Sequence, residues 1–248
     1  MLNNLERILS SVRSPVEQFF TRLLGAFPKE KIDSVYLYGS VVAGDYLPER
    51  SDINSLILFD SFGAVELQIM RPLVRDGLKK RIVAPLCLSV QTFRRSADTF
   101  PLEFIEIKDK HLLLFGLEDR VDALEIPREY LRVKIEEQIK GKLIRLRQVW
   151  MERPETGREL TEILVDAQRQ LFPVFRNLLR FLGVDRPPVS RDEILRELEN
   201  RAQFALLPCR QVWEHAAGRA SIQGNVSSIY SDYIDALLKL ATLIDRLE

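Results

Sequence analysis

The sequence predicts an α+β fold, with a small mixed sheet and flanking helices followed by an all-α helical bundle. Two observations carry this expectation. Short runs rich in Val, Ile, Leu and Tyr, bounded by Gly, Pro, Asp and Ser, fall within residues 34–59 and 81–115 and read as strands. Behind Pro127 the apolar positions recur at helical spacing almost to the last residue. The change near 127 is one of period rather than composition, and it divides the chain into an α+β domain over 1–126 and a helical domain over 127–248.

Within the first domain, "SVYLYGS", "INSLILF", "RIVAPLCLSV", "LEFIEI" and "HLLLFG" are the expected strands. Val16, Phe19, Phe20, Leu23 and Leu24 place a helix at about 14–26, and another is expected over 63–80. In the second domain Leu131, Ile135, Ile139, Leu143, Leu146 and Val149 form one stripe of a long amphipathic helix. Further helices are expected at 157–182, 191–202, 207–216 and 226–247, separated by "GVDRPPVS" and "GRASIQGN". Ser190 with Glu193 reads as a capping box, and Pro173 predicts a kink or break in its helix. Several amphipathic helices with short connections make a bundle.

Composition narrows the classes of function. The 248 residues carry 36 basic and 36 acidic side chains, so no whole-molecule field favours nucleic acid, an anionic membrane or an acidic partner. Two cysteines, Cys87 and Cys209, lie far apart without metal-ligand spacing, which argues against a disulfide framework and a zinc site and for a reducing cytoplasm. No signal peptide and no apolar run of membrane-spanning length is expected.

The stretch "YGSVVAGDYLPERSDINSLIL" carries the most chemistry. Gly39 ends an apolar strand, where a residue without Cβ lets backbone approach a phosphate, and the Ser40 hydroxyl can donate a hydrogen bond to it. After an eleven-residue spacer, Asp52 opens a second strand. Strand side chains alternate, so Asp52 and Asn54 project to one side while Ile53 points into the core. Two carboxylates in that arrangement hold divalent ions against triphosphate oxygens; here the second position is an amide.

In order, spacing and flanking strands this stretch resembles the polymerase-beta-like nucleotidyltransferase superfamily, whose pattern is an apolar residue, Gly, Gly or Ser, a spacer, then Asp, an apolar residue, and Asp or Glu. An N-terminal catalytic domain followed by a helical bundle is similar to the architecture of kanamycin nucleotidyltransferase and of paired minimal nucleotidyltransferase and helical toxin domains. "FPLEFIEIKDKHLLLFG" and "KGKLIRLRQVW" resemble segments of bacterial nucleotidyltransferase-domain proteins. The resemblance implies Gly39 and Ser40 on the phosphates of a nucleoside triphosphate, Asp52 as a catalytic Mg²⁺ ligand, and Asn54 as a contact of that site. It also implies a third carboxylate on a nearby strand.

Two readings follow. In the first, the Asp52-x-Asn54 site is degenerate, and the protein binds nucleotide or a protein partner with weak or no catalysis. In the second, it is an active Mg²⁺-dependent enzyme that transfers a nucleotide monophosphate from a nucleoside triphosphate to an acceptor hydroxyl. An antitoxin-like half of a two-domain system is a third possibility, suggested by architecture. Asn54 and the carboxylate-free "APLCLSV" strand favour the first. Glu103 and Glu106 from the next strand, or Asp45 from the loop, are the residues that could compensate, although all three read better as solvated positions.

Other features have structural readings. Seven basic and three acidic residues between Arg128 and Arg147 read as the charged side of an amphipathic helix rather than a nucleic-acid surface. Gly141 suggests a close helix crossing there. Trp150, Trp213, Phe172, Phe175 and Phe181 are expected in core packing, His111 in a hairpin turn, and Tyr230 and Tyr233 beside an interdomain cleft. A homodimer or protein partner would use the helical domain.

Overall fold

The computed structural model describes residues 2–247 except 45, 49, 50 and 153–156. The chain divides into two compact units, Met1–Pro127 and Arg128–Glu248. The fold is α+β, with a mixed sheet in the first unit and helices throughout the second. No described helix is long and apolar enough to cross a membrane.

The sheet of the first unit contains β1 (Ile32–Tyr38), β2 (Asn54–Phe59), β3 (Leu86–Ser89) and β4 (His111–Phe115), in the order β3-β2-β1-β4. β1 runs antiparallel to β2 and β4, whereas β2 and β3 are parallel. A parallel pair needs a long crossover, and the chain supplies one between β2 and β3. The helices in chain order are α1 (Ser10–Gly25), α2 (Ser40–Ala43), α3 (Ala64–Leu78), α4 (Val90–Arg95) and α5 (Pro101–Asp109).

Alternation sorts β2 into two cores. Ile53, Ile57 and Phe59 join Val35, Leu37, Leu112 and Leu114 beneath Val16, Phe20 and Leu23 of α1 and Met70 and Leu73 of α3. Leu56 and Leu58 join Tyr36 on the opposite face, beneath Phe93 of α4, Phe104 and Ile107 of α5, and Val121 and Leu124 of the following segment. Covering both faces is why "INSLILF" reads as a nearly continuous apolar run. α1 and α3 meet at Gly77, where a Cβ would sit 2.7 Å from the Phe19 ring and 3.2 Å from the Ile82 carbonyl oxygen.

Several expectations change in this unit. "LEFIEI" is not a strand but the body of α5. Pro101 occupies the first helical turn, and Pro101, Leu102, Phe104 and Ile107 are the positions it buries. Glu103 and Glu106 therefore lie exposed on a helix rather than on a strand beside Asp52. "RIVAPLCLSV" is shorter than expected, because Ser89 ends β3 and caps α4 by accepting a hydrogen bond from the Thr92 N–H at 3.0 Å. His111 opens β4 instead of occupying a turn. Its Nδ1 lies 2.8 Å from the Lys108 carbonyl oxygen and its Nε2 3.0 Å from the Asp119 carboxylate. Asp45 lies outside the described residues.

The second unit contains α6 (Arg128–Glu152), α7 (Gly157–Phe181), α8 (Arg191–Ala202), α9 (Leu207–Ala216) and α10 (Val226–Asp245). The six-residue stripe of α6 is buried throughout, as its period requires. Phe172, Phe175 and Phe181 are core residues, and Trp213 meets Phe172 edge-on at 5.3 Å. α7 continues through Pro173 without a break. Phe172, Val174, Phe175 and Leu178 are all buried there, and their packing offsets the lost backbone hydrogen bond.

The Ser190 side chain makes no capping bond to α8. Asp192 and Glu193 instead place negative charge in its first turn, and Asp192 Oδ1 accepts hydrogen bonds from Trp213 Nε1 at 3.0 Å and Arg219 at 2.7 Å. Gly141 marks no crossing either, since a Cβ there would meet nothing within 4 Å. Three basic side chains of α6 form ion pairs within the unit. Arg132 pairs with Glu136 at 3.0 Å, Lys134 with Glu137 at 2.9 Å, and Lys140 with both Glu136 and Asp245. Lys140 holds the Asp245 carboxyl below its usual range.

Tyr230 and Tyr233 are fully buried within this unit rather than lining a cleft. Tyr230 stacks on Trp150 at 4.9 Å and donates to the Leu146 carbonyl at 2.9 Å, and Tyr233 donates to Gln168 Oε1 at 2.8 Å. Burial pushes the Tyr230 phenol up to about 12.

Two measurements check this packing. Gly77→Ala is expected to cost about 1–3 kcal/mol in urea unfolding, because the added methyl forces α1 from α3. The raised phenol of Tyr230 means that the folded state favours the neutral form. Its contribution is complete below the unfolded-state value near 10 and is lost as pH rises toward about 12. Melting temperature followed by helix ellipticity is expected to fall across that window, with a shallower fall in Tyr230→Phe.

Candidate functional site

The residues singled out in the sequence gather where β1 ends and β2 begins. Gly39 follows β1 with φ 79° and ψ −146°, a conformation open to glycine and strained for other residues. Its N–H donates to the Lys110 carbonyl at 3.0 Å, and its carbonyl accepts from the N–H groups of Val42 and Ala43. The glycine thus bends the chain from β1 into the single turn of α2, which begins with Ser40. Its own N–H is committed to Lys110, and the Ser40 hydroxyl is a group in this turn suited to a phosphate.

Asn54 stands opposite Tyr38 in the β1–β2 pairing. Its Nδ2 lies 3.5 Å from where a Cβ on Gly39 would be, so the amide sits against the turn. Ile53 is buried in the α1–α3 core, whereas Asn54 shares its side of the strand with Leu56 and Leu58. Tyr38 packs against that second core, and its burial raises the phenol above its ordinary value.

Asp52 has a different neighbourhood. Arg81 donates to its Oδ1 at 3.2 Å, with the side chains 41% and 52% exposed respectively. The backbone fixes this encounter. Ile53 N–H donates to the Arg81 carbonyl at 2.8 Å, Val83 N–H donates to the Ile53 carbonyl at 3.3 Å, and Ile53 bridges Ile82 in parallel register. Arg81 itself has φ 59°. Tyr46 is buried alongside; burial raises its phenol most, with Asp52 adding to the rise and Arg81 opposing it.

This donor set does not fit a pair of divalent ions. Asp52 is one carboxylate and already carries a guanidinium; Asn54 offers an uncharged carbonyl oxygen. β3 pairs Leu86 and Leu88 with Leu56 and Leu58, so the face behind Asn54 continues as leucine. It is covered by Phe93, Phe104 and Ile107. Glu103 and Glu106 are turned to solvent on α5. Among the described residues no group of three or more His, Cys, Asp or Glu is placed to hold a metal ion.

Comparison of the chain with protein-family models and with curated proteins finds no match. Arg81, Tyr38 and Tyr46 are the site residues that sequence reasoning missed. Tyr38 was visible as the residue before Gly39, but the proximity of Arg81 to Asp52 depends on the parallel bridge between Ile53 and Ile82, for which the sequence has no local signal.

Proposed function

We propose that the first unit is a nucleotidyltransferase-like module that binds a nucleotide and does not catalyse nucleotidyl transfer. The order strand, Gly-Ser turn, antiparallel strand opened by Asp-x-Asn, helix, parallel strand supports the family reading, together with the spacing of the sequence motif. The observation that carries the loss of chemistry is the sheet face behind Asn54. In-line displacement depends on positioning and on neutralising charge as the phosphoryl group passes between oxygens. Leu56, Leu58, Leu86 and Leu88 supply neither: the helices bury Leu56 and Leu58, and the half-buried β3 beside them brings Leu86 and Leu88 rather than a carboxylate. The bound group would meet the Ser40 hydroxyl, the Asn54 amide and the Tyr38 edge.

The test uses the whole chain. With α-labelled ATP, GTP, CTP or UTP and Mg²⁺ or Mn²⁺, label transfer to the protein, to RNA or to a small-molecule acceptor panel is expected to stay at the level of Asp52→Ala. Calorimetry with the same nucleotides is expected to show saturable binding that Ser40→Ala weakens roughly tenfold, the scale of one lost hydrogen bond to a charged group. Metal-dependent transfer that disappears in Asp52→Ala would restore the active-enzyme reading, and absence of any nucleotide binding would end the binding reading.

A second reading, in which the helical unit engages a protein, draws on α6. Val133, Ile144 and Met151 are 54%, 56% and 76% exposed on the side of that helix opposite its buried stripe. Self-association through this surface predicts that sedimentation equilibrium finds a dimer in the natural chain and a monomer in Ile144→Asp. A monomer in both would remove the homodimer.

A further inference from the structure

The site's mismatch with divalent ions has a specific cause in the chain. We infer that Arg81 is a built-in cation on Asp52, holding the position a divalent ion would take in a nucleotidyltransferase-like site and excluding metal from it. The inference rests on the family reading above and concerns how that site handles charge.

Surface ion pairs between two mobile side chains contribute little, because ordering both side chains offsets much of their attraction. Asp52 and Arg81 are part-exposed, and what sets them apart is how their backbones are held. The two backbones are tied by the Ile53 N–H to Arg81 carbonyl bond at 2.8 Å and by the adjoining Ile53–Ile82 bridge. Arg81 is further held by its own N–H, which donates to the Leu78 carbonyl at 3.1 Å at the end of α3. The fold therefore sets the two residues side by side, within reach of the Arg81 bond to Asp52 Oδ1.

Charge makes the arrangement exclusive. Among the described residues Asp52 brings one negative charge and Asn54 none, so the Arg81 cation stands against the one anionic ligand of the Asp52–Asn54 pair. A Mg²⁺ or Mn²⁺ ion entering there would meet a like charge within ion-pair distance of its one anionic ligand. The left-handed backbone at Arg81 suits glycine better than arginine, so the conformation itself does not call for a side chain there.

That conformation also provides a clean variant. Arg81→Gly removes the guanidinium while fitting φ 59°, so the connection into β3 is kept. Mn²⁺ alone, without nucleotide, is titrated by electron paramagnetic resonance into the natural chain, Asn54→Asp, Asn54→Asp with Arg81→Gly, and Asn54→Asp with Arg81→Lys. The natural chain is expected to show no saturable binding. The glycine double variant is expected to bind roughly tenfold or more tightly than Asn54→Asp alone, and to lose that site when Asp52→Asn is added. The lysine double variant is expected to bind no better than Asn54→Asp. Equal affinity in Asn54→Asp and the glycine double variant would overturn the inference, as would equal affinity in the lysine and glycine double variants. Saturable binding by the natural chain that Asp52→Asn removes would overturn it too. Such binding without label transfer defeats this inference and leaves the non-catalytic reading standing, whereas label transfer defeats that reading directly.

Discussion

Burial of β2 on both faces is the constraint on which the first unit depends. Once α1 and α3 cover Ile53, Ile57 and Phe59, and α4 and α5 cover Leu56 and Leu58, nothing charged can occupy those positions without a desolvation cost of several kcal/mol. Polar groups can stand at the open end of the strand, and that is where Asp52, Asn54 and the Gly39 turn are found. The amide at 54 and the leucines at 86 and 88 therefore reflect one condition. A carboxylate at the covered positions of β2 would need either a metal ion or an open face, and α4 and α5 remove that face over Leu56 and Leu58.

Electrostatics in the chain follows the same economy of local pairing. Its formal charge is zero, and its most basic segment, in α6, meets Glu136, Glu137 and Asp245 at ion-pair distance. Two buried phenols of the second unit behave similarly, with Tyr230 and Tyr233 each donating to an acceptor inside it. The Asp52–Arg81 pair extends this pattern to the open end of the sheet. What separates it from the exposed helix pairs is that a backbone ladder, rather than helical spacing, sets the distance.

Legibility in the sequence tracked how each element is buried. Helices with one apolar stripe, α1 and the five of the second unit, announced themselves by period, and the 191–202 and 207–216 boundaries agree with α8 and α9. "LEFIEI" was misread because a short apolar run suits a buried strand and a buried helix equally. Pro101 and the three-residue spacing from Pro101 to Phe104 to Ile107 were the signals that separate the two. The Ser190 capping box failed because the pattern states which groups could bond, not which do. At the site, Gly39, Ser40, Asp52 and Asn54 were visible as a motif, and Asn54 was visible as its departure. Arg81 was not, because its closeness to Asp52 comes from a parallel register between residues 53 and 82, set by the α3 crossover.

Neutralising Asp52 with a side chain rather than an ion changes what the position can do. A bound Mg²⁺ brings coordination positions for phosphate oxygens and lowers the pKa of a hydroxyl that joins its shell. A guanidinium offers N–H donors in a fixed plane and remains protonated, so it can neutralise or hold an anion but cannot draw a proton from an acceptor. Recognition of phosphate and activation of a nucleophile, which one ion performs together, come apart when the charge is supplied by arginine. With Asn54 beside it and leucine behind it, no described group at this end of the sheet takes over the second task. Position 81 is thus where a binding site and a catalytic site built on the same turn would diverge.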